Sequence, residues 1–477
     1  MPEHLERPAL YIDGAWVAPV KGGSADIVEA ATGEVFGASA LADTDDIDLA
    51  VAAARRALTG PWAGFGPAER AGVLEAFAAG LTARRKEIAT LVSRENGMPI
   101  SLSQVVSGIA PGFITGYYAR LAAGMVAEDV RPSPTGGETL VVRQPVGVVA
   151  AITPWNYPQP LAVMKLAPAL AAGCTVVLKP PPETALDAFV FAEVAAEAGL
   201  PPGVLNVVPG GREAGAHLVE HPGVDKVAFT GSTGAGRAIG ETTGRLLRPA
   251  TLELGGKSVS LVADDADLDL FAARLLEVSL PNNGQTCHAA TRILAPRSRY
   301  DEVVAAVTDT VAALRVGDPL DRETQVGPLV SAAQQQRVLE YVALGRSEAR
   351  LTTGGGRPDR PGWFVEPTVF ADVDNRARIA QEEIFGPVLC VTPYDDEDQA
   401  IAIANDSDFG LGGVVWTSDA DRGLALARRI ESGTVGVNHY ELHVNAPFGG
   451  IKASGVGREL GPEGLEPYLV TKSIYRR

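Results

Sequence analysis

Apolar positions recur every three to four residues between 46 and 93 and predict two helices. The first follows Asp45-Asp46, carries Ile47, Leu49, Val51 and Leu58, and stops at Pro61. The second starts near Pro67 and carries Val73, Leu74, Phe77 and Leu81. Ahead of them, residues 10 to 45 read as short strands and turns punctuated by Gly14, Gly22-Gly23 and Gly33. From Val146 the pattern changes to short, continuous apolar runs: Val146–Ile152, Thr175–Leu178, Val204–Val208, Lys226–Phe229 and Ala250–Leu254. Helix-compatible stretches lie between them, at Leu161–Ala171, Leu186–Ala198, Glu213–Glu220 and Arg237–Leu247. This alternation is that of βαβ units and predicts a parallel sheet with helices on both faces. It leaves open whether such a sheet binds a nucleotide.

A second α/β region spans about Ser258 to Ala446. Its predicted strands are Ser258–Val262, Arg292–Leu294, Val388–Val391, Val414–Trp416 and Thr434–Val437, with helices at Asp301–Leu314 and Ala420–Ile430. The tail after Pro447 is Gly-rich and closes on a predicted strand, Leu469–Tyr475. No internal repeat or low-complexity segment interrupts the chain.

Composition narrows the class. A chain of 477 residues, 46% hydrophobic and 21% charged, has the balance of a folded globular protein of two or three domains. Its net charge of −17, without a Lys/Arg block, argues against nucleic acid and anionic lipid as partners. Cys174, Cys287 and Cys390 form no CxxC pair and leave one thiol over from any disulfide, as in a reducing compartment. Met1–Leu10 lacks the layout of a signal peptide, and no apolar run of membrane-spanning length stands out. The expected location is the cytoplasm.

Four motifs carry chemistry. Phe229-Thr-Gly-Ser-Thr-Gly-Ala-Gly236 follows a strand and opens a helix, so it is either an anion site at a helix N-terminus or a structural turn. Asn156, in the proline-framed loop Ala151–Pro158, is either a neutral donor to a developing oxyanion or an Asx-turn residue. Glu253 ends the fifth apolar run, either as a desolvated general base or as a strand-end carboxylate facing water. Cys287 sits on a turn in Leu280-Pro-Asn-Asn-Gly-Gln-Thr-Cys-His288 and is the one cysteine presented as a nucleophile; Cys174 and Cys390 lie in apolar strands as core residues. His288 is its neighbour, and a role as its base is not required by the spacing. No HExxH, His/Cys cluster or EF-hand spacing calls for a metal, and His217, His221, His439 and His443 read as surface or loop residues.

Taken in order, PWNYP, VVLKP, FTGSTGAG, LELGGK, NNGQTC, EEIFGPV and PFGGIKASGVGREL resemble the aldehyde dehydrogenase superfamily, from Tyr11 to Leu460. The resemblance implies an α/β protein with a Rossmann-like coenzyme-binding domain (1–122 and 144–254), an α/β catalytic domain (255–446) and a small β oligomerisation arm with tail (123–143 and 447–477). It implies oxidation of a small aldehyde with NAD, NADP being the alternative, in a homodimer or homotetramer. By the same resemblance, Cys287 is the nucleophile, Asn156 and the Cys287 N–H hold the oxyanion, and Glu253 activates the water that releases the acid. Lys179 is counted with the site and with the adenosine ribose. Ile152, Trp155, Gly210, Gly231, Ser232, Leu254, Glu383 and Phe385 would contact the coenzyme. Gly256 and Lys257 complete the turn behind the base. The substrate tunnel would involve Tyr157, Met164, Leu280, Pro281, Thr286, His288 and the loop His439-Tyr-Glu-Leu-His443, with His439, Glu441 and His443 at a polar mouth. Its apolar, aromatic inner part suits an aliphatic, aromatic or terpenoid aldehyde.

Two departures stand out. Where many members of the family place a ribose-binding Glu, this chain has Pro182, with Glu183 one step later. This weakens the exclusion of a 2′-phosphate, for which Arg212 is a candidate partner. Where some members place a second acid after Arg-Glu-Leu-Gly, this chain has Pro462, with Glu463 one step off, which puts a proton relay through that site in doubt. A CoA-acylating relative, a Cys-dependent esterase without redox chemistry, and a binding protein that has lost catalysis are the competing readings. The presence of Glu253 disfavours the first, and the joint presence of Cys287, Glu253 and Asn156 the last.

Overall fold

Eight strands form the first sheet in the order Gly455–Val456, Ala250–Glu253, Lys226–Thr230, Val148–Ile152, Thr175–Lys179, Leu205–Val207, Leu10–Ile12 and Ala15–Val17. The computed structural model describes residues 4–477, so Met1–Glu3 of the N-terminal stretch lie outside the described residues. The five central strands are parallel, and the flanking ones pair antiparallel. Four of these five runs are buried along their whole length, and only Ala250 at the start of the fifth is partly exposed. This is why they read as continuous apolar runs and not as alternating ones. Successive strands run outward from Val148–Ile152 in one direction, and the chain then returns to place Lys226–Thr230 on its other side. The order reverses between these two strands, and a crevice opens beyond their C-terminal ends.

Local chemistry sets several boundaries that periodicity leaves open. The first helix is Thr44–Ala57, capped by Asp43, whose carboxylate accepts from Asp45 N and Asp46 N. The helix after the first strand begins at Pro158 and runs to Ala172, because proline fits a first turn that needs no N–H partner. The next helix is only Phe189–Glu197. Its expected first turn is held open because Leu186 N and Asp187 N donate to the buried Glu95 carboxylate.

The second sheet has seven strands, in the order Arg350–Thr353, Thr368–Ala371, Val388–Tyr394, Arg292–Pro296, Val259–Val262, Gly413–Trp416 and Gly436–Val437. All neighbours are parallel except the first pair. The strand Thr368–Ala371 and the helix Ala332–Glu348 are absent from the pattern-based reading.

A third sheet joins Leu469–Arg476, Glu138–Pro145 and Glu128–Pro132, all antiparallel. Of the tail after 447, only this last strand enters that sheet. Phe448, Leu460, Leu465 and Tyr468 are buried in the first core, and Gly455–Val456 edges the first sheet. Burial of these apolar side chains draws the segment onto the body of the protein.

Candidate active site

The crevice beyond the strand ends holds two adjoining cavities that share Trp155, Thr230, Gly231 and Ser232. The outer one, of about 530 Å³, is lined among others by Ile152, Lys179, Pro182, Gly210 and Arg212. The inner one, of about 320 Å³, is lined among others by Asn156, Leu254, Cys287, Glu383 and Phe385. Every residue expected to contact a coenzyme therefore borders one continuous cleft.

The glycines of the turn have separate reasons. A Cβ on Gly231 would lie 2.5 Å from the Phe229 ring, and one on Gly236 would lie 2.3 Å from Leu254. Both positions are packing constraints. Gly234 lines the outer cavity, and a Cβ there would meet no protein atom within 4 Å, so it would project into the cleft. Ser232 caps the helix Thr233–Arg245, accepting from Ala235 N at 3.3 Å. The first N–H groups of a helix lack intrahelical partners, and this helix starts at the cleft, where they favour an anion. Lys179 Nζ donates to Gly210 O at 2.5 Å and Pro180 O at 3.1 Å, and burial pulls its pKa down to about 8.

At the inner end, Glu383 accepts from Gly256 N at 2.9 Å, and burial pushes its pKa up to about 7. Phe385, at φ +64°, meets Trp155 edge-on with ring centroids 5.4 Å apart. The helix Ala332–Glu348 steadies both. Gln334 Nε2 donates to Phe385 O at 2.8 Å, and Arg337 donates to Glu383 O at 2.6 Å. Sequence reasoning missed Gln334 and Arg337; the polar run Gln334-Gln335-Gln336-Arg337 was the available signal.

Cys287 faces the inner cavity. Burial first, then the carboxyls of Glu383 and Glu253, push its thiol up to about 12. His288 Nδ1 is 4.0 Å from Cys287 Sγ. Burial pulls its imidazole down to about 4, so the ring is neutral. It stacks on Tyr440 at 4.9 Å and meets Phe448 edge-on at 6.1 Å.

Glu253 is 2% exposed, and neither carboxyl oxygen has a hydrogen-bond partner in the protein. Burial, and next the neighbouring Glu459, hold its pKa well above the ordinary carboxylate range. Glu459 pairs with Lys165 at 2.8 Å, and Lys165 Nζ also donates to Thr230 Oγ1 at 2.5 Å. Lys165 was missed: it stands in the otherwise apolar helix Pro158–Ala172, and a lysine there was the signal. Glu459 lies within the PFGGIKASGVGREL motif. The acid beside Glu253 is thus Glu459, while Glu463 is exposed in a shallow surface depression with Arg458 and Glu466.

The expected substrate residues divide. Tyr157 OH lies 2.7 Å from Thr286 Oγ1, and Met164 is 7% exposed in the first core. Leu280 does not belong with them: it has no exposed surface and packs in the core of the second sheet. The loop His439–His443 is the segment expected to form a polar mouth. Exposure alternates along the loop, so His439, Glu441 and His443 face outward while Tyr440 and Leu442 turn in. Tyr440, in the same loop, stacks on His288, the neighbour of Cys287. Among the described residues, no group of three or more His, Cys, Asp or Glu is placed to hold a metal.

The sequence profile of the aldehyde dehydrogenase family matches residues 16–474. Geranial dehydrogenase of Castellaniella defragrans is 54% identical over 473 residues, covering 99% of each chain. A chloroplastic aminoaldehyde dehydrogenase of Arabidopsis thaliana is 41% identical, covering 98% of this chain and 95% of its own. The crystal structure of Mycobacterium tuberculosis aldehyde dehydrogenase complexed with NAD+ superposes with a TM-score of 0.97 at 47% identity, covering 99% of both chains.

Proposed function

The chain belongs to the aldehyde dehydrogenase family, catalysing NAD-dependent oxidation of an aldehyde, and from that premise we propose how its residues divide the reaction. The observation that carries the assignment is the meeting of Cys287 and Asn156 in one cavity with Glu383 and Phe385, with Glu253 close enough to raise the thiol. Cys287 loses its thiol proton to solvent and adds to the aldehyde carbon as the thiolate. The Asn156 amide and the Cys287 N–H donate to the oxygen as it gains charge. Oxidation leaves the acyl group on Cys287 as a thioester. Glu253, ionised, takes a proton from water, which attacks that thioester, and the acid and the thiolate part.

The residues present fit NAD. The cleft has open space at Gly234, free N–H groups at a helix start for a diphosphate, and Glu383 and Phe385 at the reacting end. Bound there, NAD supplies the two-electron acceptor. Pro182 and Arg212 at the outer mouth leave NADP as a tolerated alternative.

We assign an apolar aldehyde of the geranial kind as substrate. Support comes from the 54% identity to geranial dehydrogenase and from the neutral aromatic wall of His288, Tyr440 and Phe448. The first sheet serves the coenzyme, the second the catalytic turn, and the third, with Val470, Ile474 and Tyr475 exposed, joins copies into a homodimer or homotetramer in the cytoplasm. The test is reduction of NAD and of NADP, followed by absorbance, with geranial, octanal and betaine aldehyde. Wild type should favour geranial and octanal. Cys287→Ala should show no reduction, and Glu253→Gln one rapid turnover followed by near-arrest. Full activity of Cys287→Ala would overturn the assignment.

A further inference from the structure

The turn that presents Cys287 and the loop that presents Asn156 are tied by two hydrogen bonds running in opposite directions. Asn156 Nδ2 donates to Gln285 O at 3.0 Å, and Asn282 Nδ2 donates back to Asn156 O at 2.9 Å. Asn156 therefore spends one amide hydrogen on the cysteine turn and keeps the other for the cavity. Its peptide is gripped from the opposite side by Asn282, which is 2% exposed.

The backbone that makes this possible is unusual. Asn282, Asn283 and Gly284 all lie at positive φ, +48°, +62° and +77°. Asparagine is the side chain that tolerates this region best after glycine. The two asparagines nevertheless do different things. Asn283 staples segments: its Nδ2 donates to Gly97 O and Pro328 O, and its Oδ1 accepts from Gly327 N. Asn282 has one partner for its side chain's donor, the Asn156 carbonyl, while its Oδ1 is buried with none. A buried amide oxygen without a partner is costly. The hydrogen bond this side chain makes is at its donor end.

We propose that Asn282 is a positioning residue, which sets the angle of the Asn156 amide toward the oxygen of the Cys287 adduct. The inference rests on the oxyanion role proposed above for Asn156. A small rotation of the Asn156 peptide would swing its free N–H away from that oxygen, and misplacement of about 1 Å at a reacting centre costs about a hundredfold in rate.

Glycine at 282 keeps the backbone conformation and removes the donor. Aspartate keeps the volume and the tolerance of positive φ and, when ionised, replaces the donor with an acceptor that repels the Asn156 carbonyl. Asn282→Gly and Asn282→Asp should each lower kcat for an apolar aldehyde by about ten- to a hundredfold, with KM for the aldehyde little changed, as expected for an interaction used in the transition state. NAD binding, read by quenching of protein fluorescence, and alkylation of Cys287 by iodoacetamide should stay within about twofold of wild type, because neither needs an oxyanion. Asn283→Gly should instead lower the melting temperature and slow alkylation. Asn156→Ala is the reference. If it loses kcat while both Asn282 variants keep it, the positioning role is overturned and the oxyanion role stands. If Asn156→Ala itself keeps kcat, the oxyanion role is overturned. If the Asn282 variants lose coenzyme binding and alkylation along with kcat, Asn282 is structural and the proposal is overturned.

Discussion

Lys165 Nζ and Glu459 Oε1 lie 2.8 Å apart, come from positions 294 residues apart, and are both shut away from solvent beside Glu253. The pair decides the charge around the proposed base. Glu459 disfavours a second anion at Glu253, and Lys165 favours it.

Glu459→Gln removes the like charge and leaves Lys165 and Arg458 as the charges that act on Glu253. The Glu253 carboxyl should then ionise at lower pH, moving the acid limb of the kcat profile down. The fold should lose about 3–5 kcal/mol, because a buried cation has lost its partner. Chemical denaturation and a pH–rate series check both halves.

Glu253 itself carries a stability signature. Its folded pKa is raised, so the native state binds this proton more tightly than the unfolded chain does. Stability is then fully present below the unfolded carboxylate value, about 4.3, and falls as pH rises through the folded value. Glu253→Gln cannot ionise. Its melting temperature relative to wild type should rise as pH goes from about 4 to 8, while steady-state turnover falls. A difference that does not vary with pH would contradict the burial cost.

The thiol is pushed up to about 12 and its neighbour imidazole down to about 4. Alkylation of the free enzyme by iodoacetamide should therefore climb through the alkaline range, with no step near the ordinary histidine value of about 6.5. His288→Phe should leave that profile in place. A step near neutrality that disappears in the variant would make His288 the base for Cys287.

Gly256 packs under Cys287, the proposed nucleophile. A Cβ there would lie 2.3 Å from Cys287 O, a rigid backbone atom. Gly256→Ala should displace the cysteine turn and cut kcat/KM by about a hundredfold or more, as expected when reacting groups shift by about 1 Å. NAD binding, measured by fluorescence, should weaken far less.

The outer mouth tests coenzyme choice. Pro182→Glu places a carboxylate beside the cavity that Lys179 and Arg212 line. NADP should bind at least about tenfold more weakly relative to NAD, since the new anion repels a 2′-phosphate. Calorimetry on the coenzyme-free protein reads this directly.

Burial made much of the fold legible. The five apolar runs of the first sheet appear as strands within about two residues of their predicted ends, as is usual for such boundaries. Fully buried parallel strands have to be continuously apolar, so their pattern is local. The strand Thr368–Ala371 and the helix Ala332–Glu348 were harder, since a short run and a polar-faced helix carry little periodic signal.

The candidate site divides along the same line. Cys287, Asn156 and Glu253 could be proposed from the sequence because each sits in a local motif whose residue types suit the proposed chemistry. Lys165 beside Glu459, Gln334 and Arg337 behind Phe385 and Glu383, and the exchange of hydrogen bonds between Asn156 and Asn282 needed the folded chain. So did the inward turn of Tyr440 between the outward-facing His439 and Glu441, because a loop's phase is set by what it packs against. Residue type and spacing determined which atoms can react. Only the tertiary structure decided their protonation and aim, because desolvation and hydrogen-bond geometry depend on neighbours that are distant in sequence.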